Sequence, residues 1–161
     1  MKYIFILISL LSITTIKSKT LEFDIKTAST VKTLASGADV ELTITVSDDT
    51  AVTLENGNLA LQKEGGSKIA LTCPNTAVTA MPEEASDVTC TTAEAINTDG
   101  EYAVVAGTTA YTLSGYTISY GNTKITILPI LTASIKVAKS VTSIKTTDTV
   151  DITVKASSNV I

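Results

Sequence analysis

Two cysteines are the residues of this chain that could most readily do covalent chemistry. Cys73 and Cys90 lie 17 positions apart. Their thiols could react as nucleophiles or share a metal ion, whereas in an exported protein they would oxidise to a disulfide. A disulfide that closes a loop of this size stabilises a fold by about 3 kcal/mol. We predict the disulfide and keep the reactive or metal-bound thiol pair as the alternative.

The residue types that the chain lacks exclude several other chemistries. None of its 161 residues is His, Trp or Arg, and all 12 basic residues are lysine. Without His there is neither a Ser-His triad nor a zinc site of the His/Cys type. A formal net charge of −4 disfavours binding to the phosphates of nucleic acids. The sequence therefore predicts no catalytic residue, no metal ligand, no cofactor and no nucleic-acid partner.

Acidic residues are the remaining candidates for a reactive or ion-binding site. One group could offer oxygen ligands to calcium, and a second could supply the carboxylate pair of a glycoside hydrolase. The first comprises Glu22, Asp24, Asp48, Asp49, Glu55, Glu83, Glu84 and Asp87, and the second comprises Glu94, Asp99 and Glu101. Their spacing matches no calcium-binding loop, and there is no Trp to hold a sugar ring. We interpret both groups as solvated surface of a protein that is not an enzyme.

Four tyrosines fall close together late in the chain. They are Tyr102, Tyr111, Tyr116 and Tyr120. Such a cluster could form a binding face for a ligand. We favour a structural role instead, because aromatic rings bury large apolar areas in cores and over sheets.

The first eighteen residues have the form of an export signal. Lys2 provides a positive start, and the run from 3 to 13 is almost entirely apolar. A run of about eleven residues is too short to span a bilayer and matches the core of a signal peptide. We predict that residues 1–18 are a signal peptide cleaved after Ser18, with Thr20 as the second choice of cleavage site. An N-terminal core strand is the alternative. The mature protein is thus expected outside the cell or at its surface, without a transmembrane segment.

Alternating polarity in the mature chain predicts β-strands. The clearest example is the segment 39–47, where every second residue is apolar. These apolar residues are Val40, Leu42, Ile44 and Val46. This is the pattern of a strand with one face buried and the other exposed to water.

Turn-forming residues separate the predicted strands. Asn56-Gly57-Asn58 and Gly121-Asn122 each stand between two strand-like segments, so we predict a β-hairpin at both, and Gly65-Gly66 is predicted to turn the chain into the segment 67–73. A short helical turn is predicted at 81–85. Turn signals recur about every 8 to 12 residues, which is typical of a β-sandwich.

The chain contains an internal repeat with an offset of 110 residues. Residues 25–47 match residues 135–157 without a gap, with seven identities in 23 positions. Any two strands rich in Thr and Val look alike, but here the two copies also share an irregular spacer. The offset places one domain at 19–129 and the start of a second repeat at 130–161, with Pro129 at the joint.

A short motif adds a family resemblance. Residues 99–104 read Asp-Gly-Glu-Tyr-Ala-Val, which resembles the corner before a late strand in immunoglobulin-like domains of extracellular repeat proteins. The resemblance implies that the hydroxyl of Tyr102 pins this corner. It further implies an immunoglobulin-like antiparallel β-sandwich with extra strands. Cys73 and Cys90 lie too close in sequence for the bridge between sheets in antibody domains, so we expect them to staple a loop.

Residues 130–161, here called the second-repeat segment, carry the prediction about function. We expect two strands whose apolar residues are Ile135, Val137, Val141, Ile144, Val150, Ile152 and Val154. Strands with open edges pair readily with another chain. The segment could dock on its own domain or, as we prefer, enter a neighbouring subunit by strand donation. Such a head-to-tail contact does not close on itself and therefore builds a filament.

The sequence as a whole thus predicts a secreted structural or adhesive protein. It would be a subunit of an extracellular filament or surface layer that self-associates into a homopolymer. Two alternatives stay open: a monomeric secreted domain that binds a carbohydrate or a surface protein, and a fragment of a longer adhesin-like repeat array.

Overall fold

The structure is a computed structural model that describes residues 18–130. Within this range the chain forms eleven β-strands and no helix, so the predicted all-β class is confirmed. The strands are β1 (Lys19–Ile25), β2 (Ser29–Val31), β3 (Asp39–Val46), β4 (Thr50–Thr53), β5 (Leu59–Lys63), β6 (Lys68–Thr72), β7 (Ala77–Ala80), β8 (Ser86–Thr92), β9 (Gly100–Ala106), β10 (Tyr116–Tyr120) and β11 (Lys124–Ile127). The predicted signal peptide, except for Ser18, and the second-repeat segment, except for Ile130, lie outside the described residues.

Nine of these strands form one large curled sheet. Their order is β10-β1-β3-β8-β6-β5-β9-β11-β2, and β4 and β7 make a separate small sheet. Because β6 pairs with β8 on one side and with β5 on the other, it joins two halves of the large sheet. We call β10, β1, β3 and β8 the first half, and β5, β9, β11 and β2 the second half.

Two strand pairs are parallel, whereas the sequence predicts antiparallel pairing throughout. β1 runs parallel to β10, and β2 runs parallel to β11. The chain passes from the first half to the second half twice, between β1 and β2 and again between β10 and β11. Both passages go in the same direction, so β1 lies parallel beside β10 before the passage and β2 lies parallel beside β11 after it. The large sheet is therefore mixed.

The predicted inner face of β3 is confirmed. Val40, Leu42, Ile44 and Val46 are at most 4% exposed. Glu41 and Thr45 face solvent, and Thr43 is half-buried. The period of two that is visible in the sequence thus fixes which face of this strand meets the core.

One apolar core joins the two halves of the sheet. Leu21 and Phe23 of β1 belong to the same buried cluster as Val104 of β9 and Ile127 of β11. Residues of β1 also contact β9, although these two strands are not hydrogen-bonded to each other. The curled sheet therefore folds its inner face onto itself.

The turn predicted at Gly65-Gly66 is confirmed, and it closes a β-hairpin. β5 pairs with β6 in antiparallel fashion across this turn. Gly65 has a φ of 68°, in the left-handed region that favours glycine. The side-chain amide of Gln62 also donates a hydrogen bond to the carbonyl of Gly66, at 2.7 Å.

The hairpin predicted at Asn56-Gly57-Asn58 is wrong. β4 pairs with β7, while β5 pairs with β6 and β9, so the turn connects two sheets. Distant partners hold it there: the Gly57 amide donates to the carbonyl of Leu71, and the buried Asn58 side-chain amide donates to that of Thr109. A β-carbon at Gly107 would collide with the Gly57 carbonyl.

The hairpin predicted at Gly121-Asn122 is also wrong. β10 pairs with β1, while β11 pairs with β9 and β2. The carboxylate of Asp24 holds the crossing between β10 and β11, because it accepts hydrogen bonds from the amide and the hydroxyl of Thr123, at 3.1 and 2.8 Å. A β-carbon at Gly121 would collide with this carboxylate, so the approach requires glycine.

The helical turn predicted at 81–85 is absent. Met81 and Glu84 form an isolated antiparallel bridge, which closes a tight turn between β7 and β8. Pro82 and Glu83 are the central residues of this turn, a position that proline favours.

A charge placed on the inner face of β3 should prevent folding. Ile44 is fully buried, so Ile44→Asp would leave a carboxylate without a partner in the core. That costs several kcal/mol against a total stability of about 5–15 kcal/mol. Thr45→Asp, on the exposed face of the same strand, is the matched control. Circular dichroism should show an unfolded Ile44→Asp variant and a folded control, and a cooperative wild-type melt of Ile44→Asp would contradict the assignment.

Candidate functional site

Cys73 and Cys90 form a disulfide, as the sequence predicts. Cys73 follows Thr72, the last residue of β6, and Cys90 precedes Thr91 within β8. Because Thr72 and Thr91 are paired between these two strands, the cysteines stand at the next position along the pair. Both cysteines are buried. The bond therefore reinforces the place where the two halves of the large sheet are joined, and it encloses β7 and the turn before β8.

The hydroxyl of Tyr102 lies at the corner before β9. It donates a hydrogen bond to the carbonyl of Thr98, four residues earlier, at 3.0 Å. The residue is only 4% exposed. Burial raises the pKa of Tyr102, and the negative charge of Asp99 raises it further. The side chain thus ties the loop after β8 to the start of β9.

The other clustered tyrosines cover the core beside β1. The ring of Tyr111 meets Phe23 edge-on, with centroids 5.5 Å apart, and Tyr120 stacks on the same ring at 6.3 Å. Burial raises the pKa of both hydroxyls. Tyr116 lies under the Lys19 ammonium, 5.4 Å from its ring centroid, and donates a hydrogen bond to the carbonyl of Asp48. The structure thus gives these rings packing roles.

Several of the carboxylates that the sequence offers as site candidates form ion pairs with lysines at the surface. Glu101 pairs with Lys124 at 2.6 Å, and Asp87 pairs with Lys26 at 2.6 Å. Each hydrogen bond to a carboxylate raises the pKa of its lysine. Among the described residues, no three metal-binding side chains come together. The arrangement offers ion pairs at a surface and no assembled ligand set.

An open cleft of about 810 Å³ lies beside the crossing between β10 and β11. Its walls come from β1, β2 and β11, with the crossing itself at one side. Glu22, Asp24 and Glu101 contribute negative charge, and Lys124 is the cation among its lining residues. Glu22 accepts a hydrogen bond from the Ser119 hydroxyl. The lining is thus polar and predominantly acidic.

β10 forms one edge of the large sheet. It pairs with β1 on one side, and no strand of residues 18–130 pairs with its other side. The strand reads Tyr-Thr-Ile-Ser-Tyr, without the charge or proline with which natural proteins commonly protect an edge. Sequence reasoning missed this edge because it paired β10 with β11 in a hairpin at Gly121-Asn122, although it correctly predicted a strand over 116–120.

The chain enters and leaves the described unit at opposite ends. The succession of antiparallel pairs across the curled sheet gives β1, β2, β10 and β11 one common direction. Lys19 and Tyr116 are level with each other at one end, which we call the entry end. Val31 and Ile127 are level at the other, the exit end. Ile130, beyond the exit end, is 61% exposed.

The residues predicted to mediate assembly lie outside the described part of the chain. They are Ile135, Val137, Val141, Ile144, Val150, Ile152 and Val154. No helix that could span a membrane occurs in the part that is described. Comparisons with family models, with curated proteins and with solved structures find no match to this chain.

Reduction of the disulfide should lower stability without removing the strands that it connects. Closing a loop of this size contributes roughly 3 kcal/mol, mainly by restricting the unfolded chain. We expect Cys73→Ser/Cys90→Ser to unfold at a lower urea concentration than the wild type, with the same far-ultraviolet circular dichroism. Native protein should carry no thiol that reacts with a labelling reagent, and two labelled thiols would refute the bond.

Alkaline pH should destabilise the fold, and Tyr102 should account for part of the loss. The folded-state pKa values of Tyr102, Tyr111 and Tyr120 are raised above the ordinary 10.0. Unfolded tyrosines therefore ionise first, and stability falls as the pH rises above about 10. Tyr102→Phe should cost about 0.5–1.5 kcal/mol at pH 7 and make this fall shallower. Urea unfolding of both proteins at pH 7 and about 10.5 measures this, and parallel losses would exclude a contribution from Tyr102.

Proposed function

We propose that this protein is a secreted structural or adhesive component of an extracellular filament or surface layer, built from a repeated immunoglobulin-like β-unit. The observation that carries the proposal is the agreement between the internal repeat and the buried residues of the first copy. Ile25, Val40, Leu42 and Ile44 are buried, and Val31 and Leu34 pack against the core. Their counterparts in the second copy are all apolar; in the same order they are Ile135, Val150, Ile152, Val154, Val141 and Ile144.

The exposed positions of the repeat agree as well. Lys26 lies 3.7 Å from Glu41 in the first copy. The matching positions hold Lys136 and Asp151, so the charges of this pair are kept. Val137 is the exception among the predicted assembly residues, because its counterpart Thr27 is exposed. A second stretch that repeats both the core positions and the charges of an ion pair favours a modular protein over a single ligand-binding domain.

The immunoglobulin-like sandwich is part of the same proposal. Support comes from the contact of β1 with β9 across the core and from the hydrogen bond of Tyr102 to Thr98. The junction at β6 would then be the place where the chain connects the two layers. Export is proposed on the predicted signal peptide, and a disulfide is compatible with an extracellular location.

The placement of the two ends favours linear assembly. The second-repeat segment leaves the unit at its exit end, on the side away from Lys19. Units joined through this segment would follow one another in line. Such a contact is heterologous and propagates, whereas a face-to-face contact would close as a dimer.

A second candidate function is a monomeric domain that binds a carbohydrate or a protein. The open cleft beside the crossing of β10 and β11 favours it, because carboxylates, hydroxyls and an amide line its walls. Such a domain would use the cleft without self-association, so particle size distinguishes the two candidates.

The test is the size of the full mature chain, residues 19–161, compared with one variant and its control. Ile152→Asp changes the counterpart of Leu42, which is fully buried, whereas Thr153→Asp changes the counterpart of the half-buried Thr43. We expect analytical ultracentrifugation to show large particles for the wild type and Thr153→Asp, and monomers for Ile152→Asp. A wild type that stays monomeric at high concentration would overturn the assembly proposal.

A further inference from the structure

The open side of β10 carries backbone groups that no strand of residues 18–130 pairs with, so another strand could add there. Gly121 donates its amide to the Phe23 carbonyl, towards β1, at 2.8 Å. Because amides alternate along a strand, those of Ile118 and Tyr120 point the other way, towards the open side. A strand added there would satisfy these donors and cover the half-buried row formed by Tyr116, Ile118 and Tyr120.

We infer that this edge accepts residues 131–135 of a second copy of the chain, and this inference rests on the proposed function. Residues 131–135 read Leu-Thr-Ala-Ser-Ile and stand at the offset of 110 from residues 21–25 of β1, which is the strand that β10 already pairs with. Leu131 matches Leu21 and Ile135 matches Ile25. Their alternation places three apolar side chains on one face, as an inner row over the core requires.

The direction of the chain favours a neighbour over the chain's own segment. β10 runs from the entry end towards the exit end, as β1 does. The segment of a preceding copy in line arrives at the entry end and runs in that same direction, so it adds to β10 in parallel. The chain's own segment starts at the exit end, so it would run against β10 and could not reproduce the parallel pairing of β1 with β10 without first returning along the unit.

Charge also distinguishes the second-repeat segment from the unit. Residues 18–129 contain 6 lysines and 14 acidic residues, a net charge of −8. Residues 130–161 contain 4 lysines and 2 aspartates, a net charge of +2. When residues 131–135 lie beside Tyr116–Tyr120, the following Lys136 comes level with Gly121 and therefore with the acidic cleft. The positive charge of the segment is thus complementary to the negative charge of the unit that would accept it.

The experiment places a lysine on the edge and, as a control, on a strand that has no free edge. Thr117→Lys puts a positive charge on β10, where it repels the lysine-bearing segment and protects the edge. Thr45→Lys makes the same change at an exposed position of β3, which pairs with β1 at this residue and with β8 up to Ile44. Both are made in the chain of residues 19–161, and thermal unfolding checks that both variants fold like the wild type.

Sedimentation at low salt then measures the concentration at which the wild type and each variant assemble. We expect the wild type and Thr45→Lys to assemble and Thr117→Lys to need at least a tenfold higher concentration. If Thr117→Lys assembles like the control, the β10 edge is not the acceptor, while the proposed self-assembly still holds. If the wild type does not assemble, the proposed function fails and this inference fails with it. Assembly of the wild type that is insensitive to salt would contradict the charge argument.

Discussion

Asp24 receives three hydrogen bonds, from the amide of Ile25 and from the amide and hydroxyl of Thr123. With this carboxylate in place, the chain after β10 leaves the first half of the sheet and continues as β11 in the second half. The rest of the architecture depends on that crossing. It makes β10 a neighbour of β1 instead of β11, and it leaves one side of β10 open among the described residues.

Local patterns in the sequence predicted individual strands well and their partners poorly. The inner face of β3 follows from alternation alone, because side chains of a strand point to opposite faces in turn. The disulfide followed from the number of cysteines and the expected compartment. By contrast, the turns at Gly57 and Gly121 look like hairpin turns, yet the first connects the small sheet to the large sheet and the second connects the two halves of the large sheet. Their partners, Leu71 and Asp24, are distant in sequence, and no local rule identifies them.

The same limit applies to the candidate site. The carboxylates were visible in the sequence, but their lysine partners and their backbone contacts were set by the fold. Tyr102 was found because its motif is local, with its acceptor Thr98 only four residues away. The edge at β10 was missed because no local pattern in a strand shows that the strand lacks a neighbour on one side. The repeat at an offset of 110 residues carries more information. The positions that are buried in its first copy are also apolar in its second copy.

The opposite placement of the entry and exit ends has a mechanical consequence. Tension between Lys19 and Ile127 pulls along the strands, since β1 and β11 run in the direction of the load. In the pairs of β2 with β11 and of β1 with β3, the hydrogen bonds lie across that direction and are loaded together in shear. Bonds that share a load yield at higher force than bonds that open one after another. A fibre of such units would resist stretching, and the disulfide between β6 and β8 would keep the centre of each unit closed if its outer strands gave way.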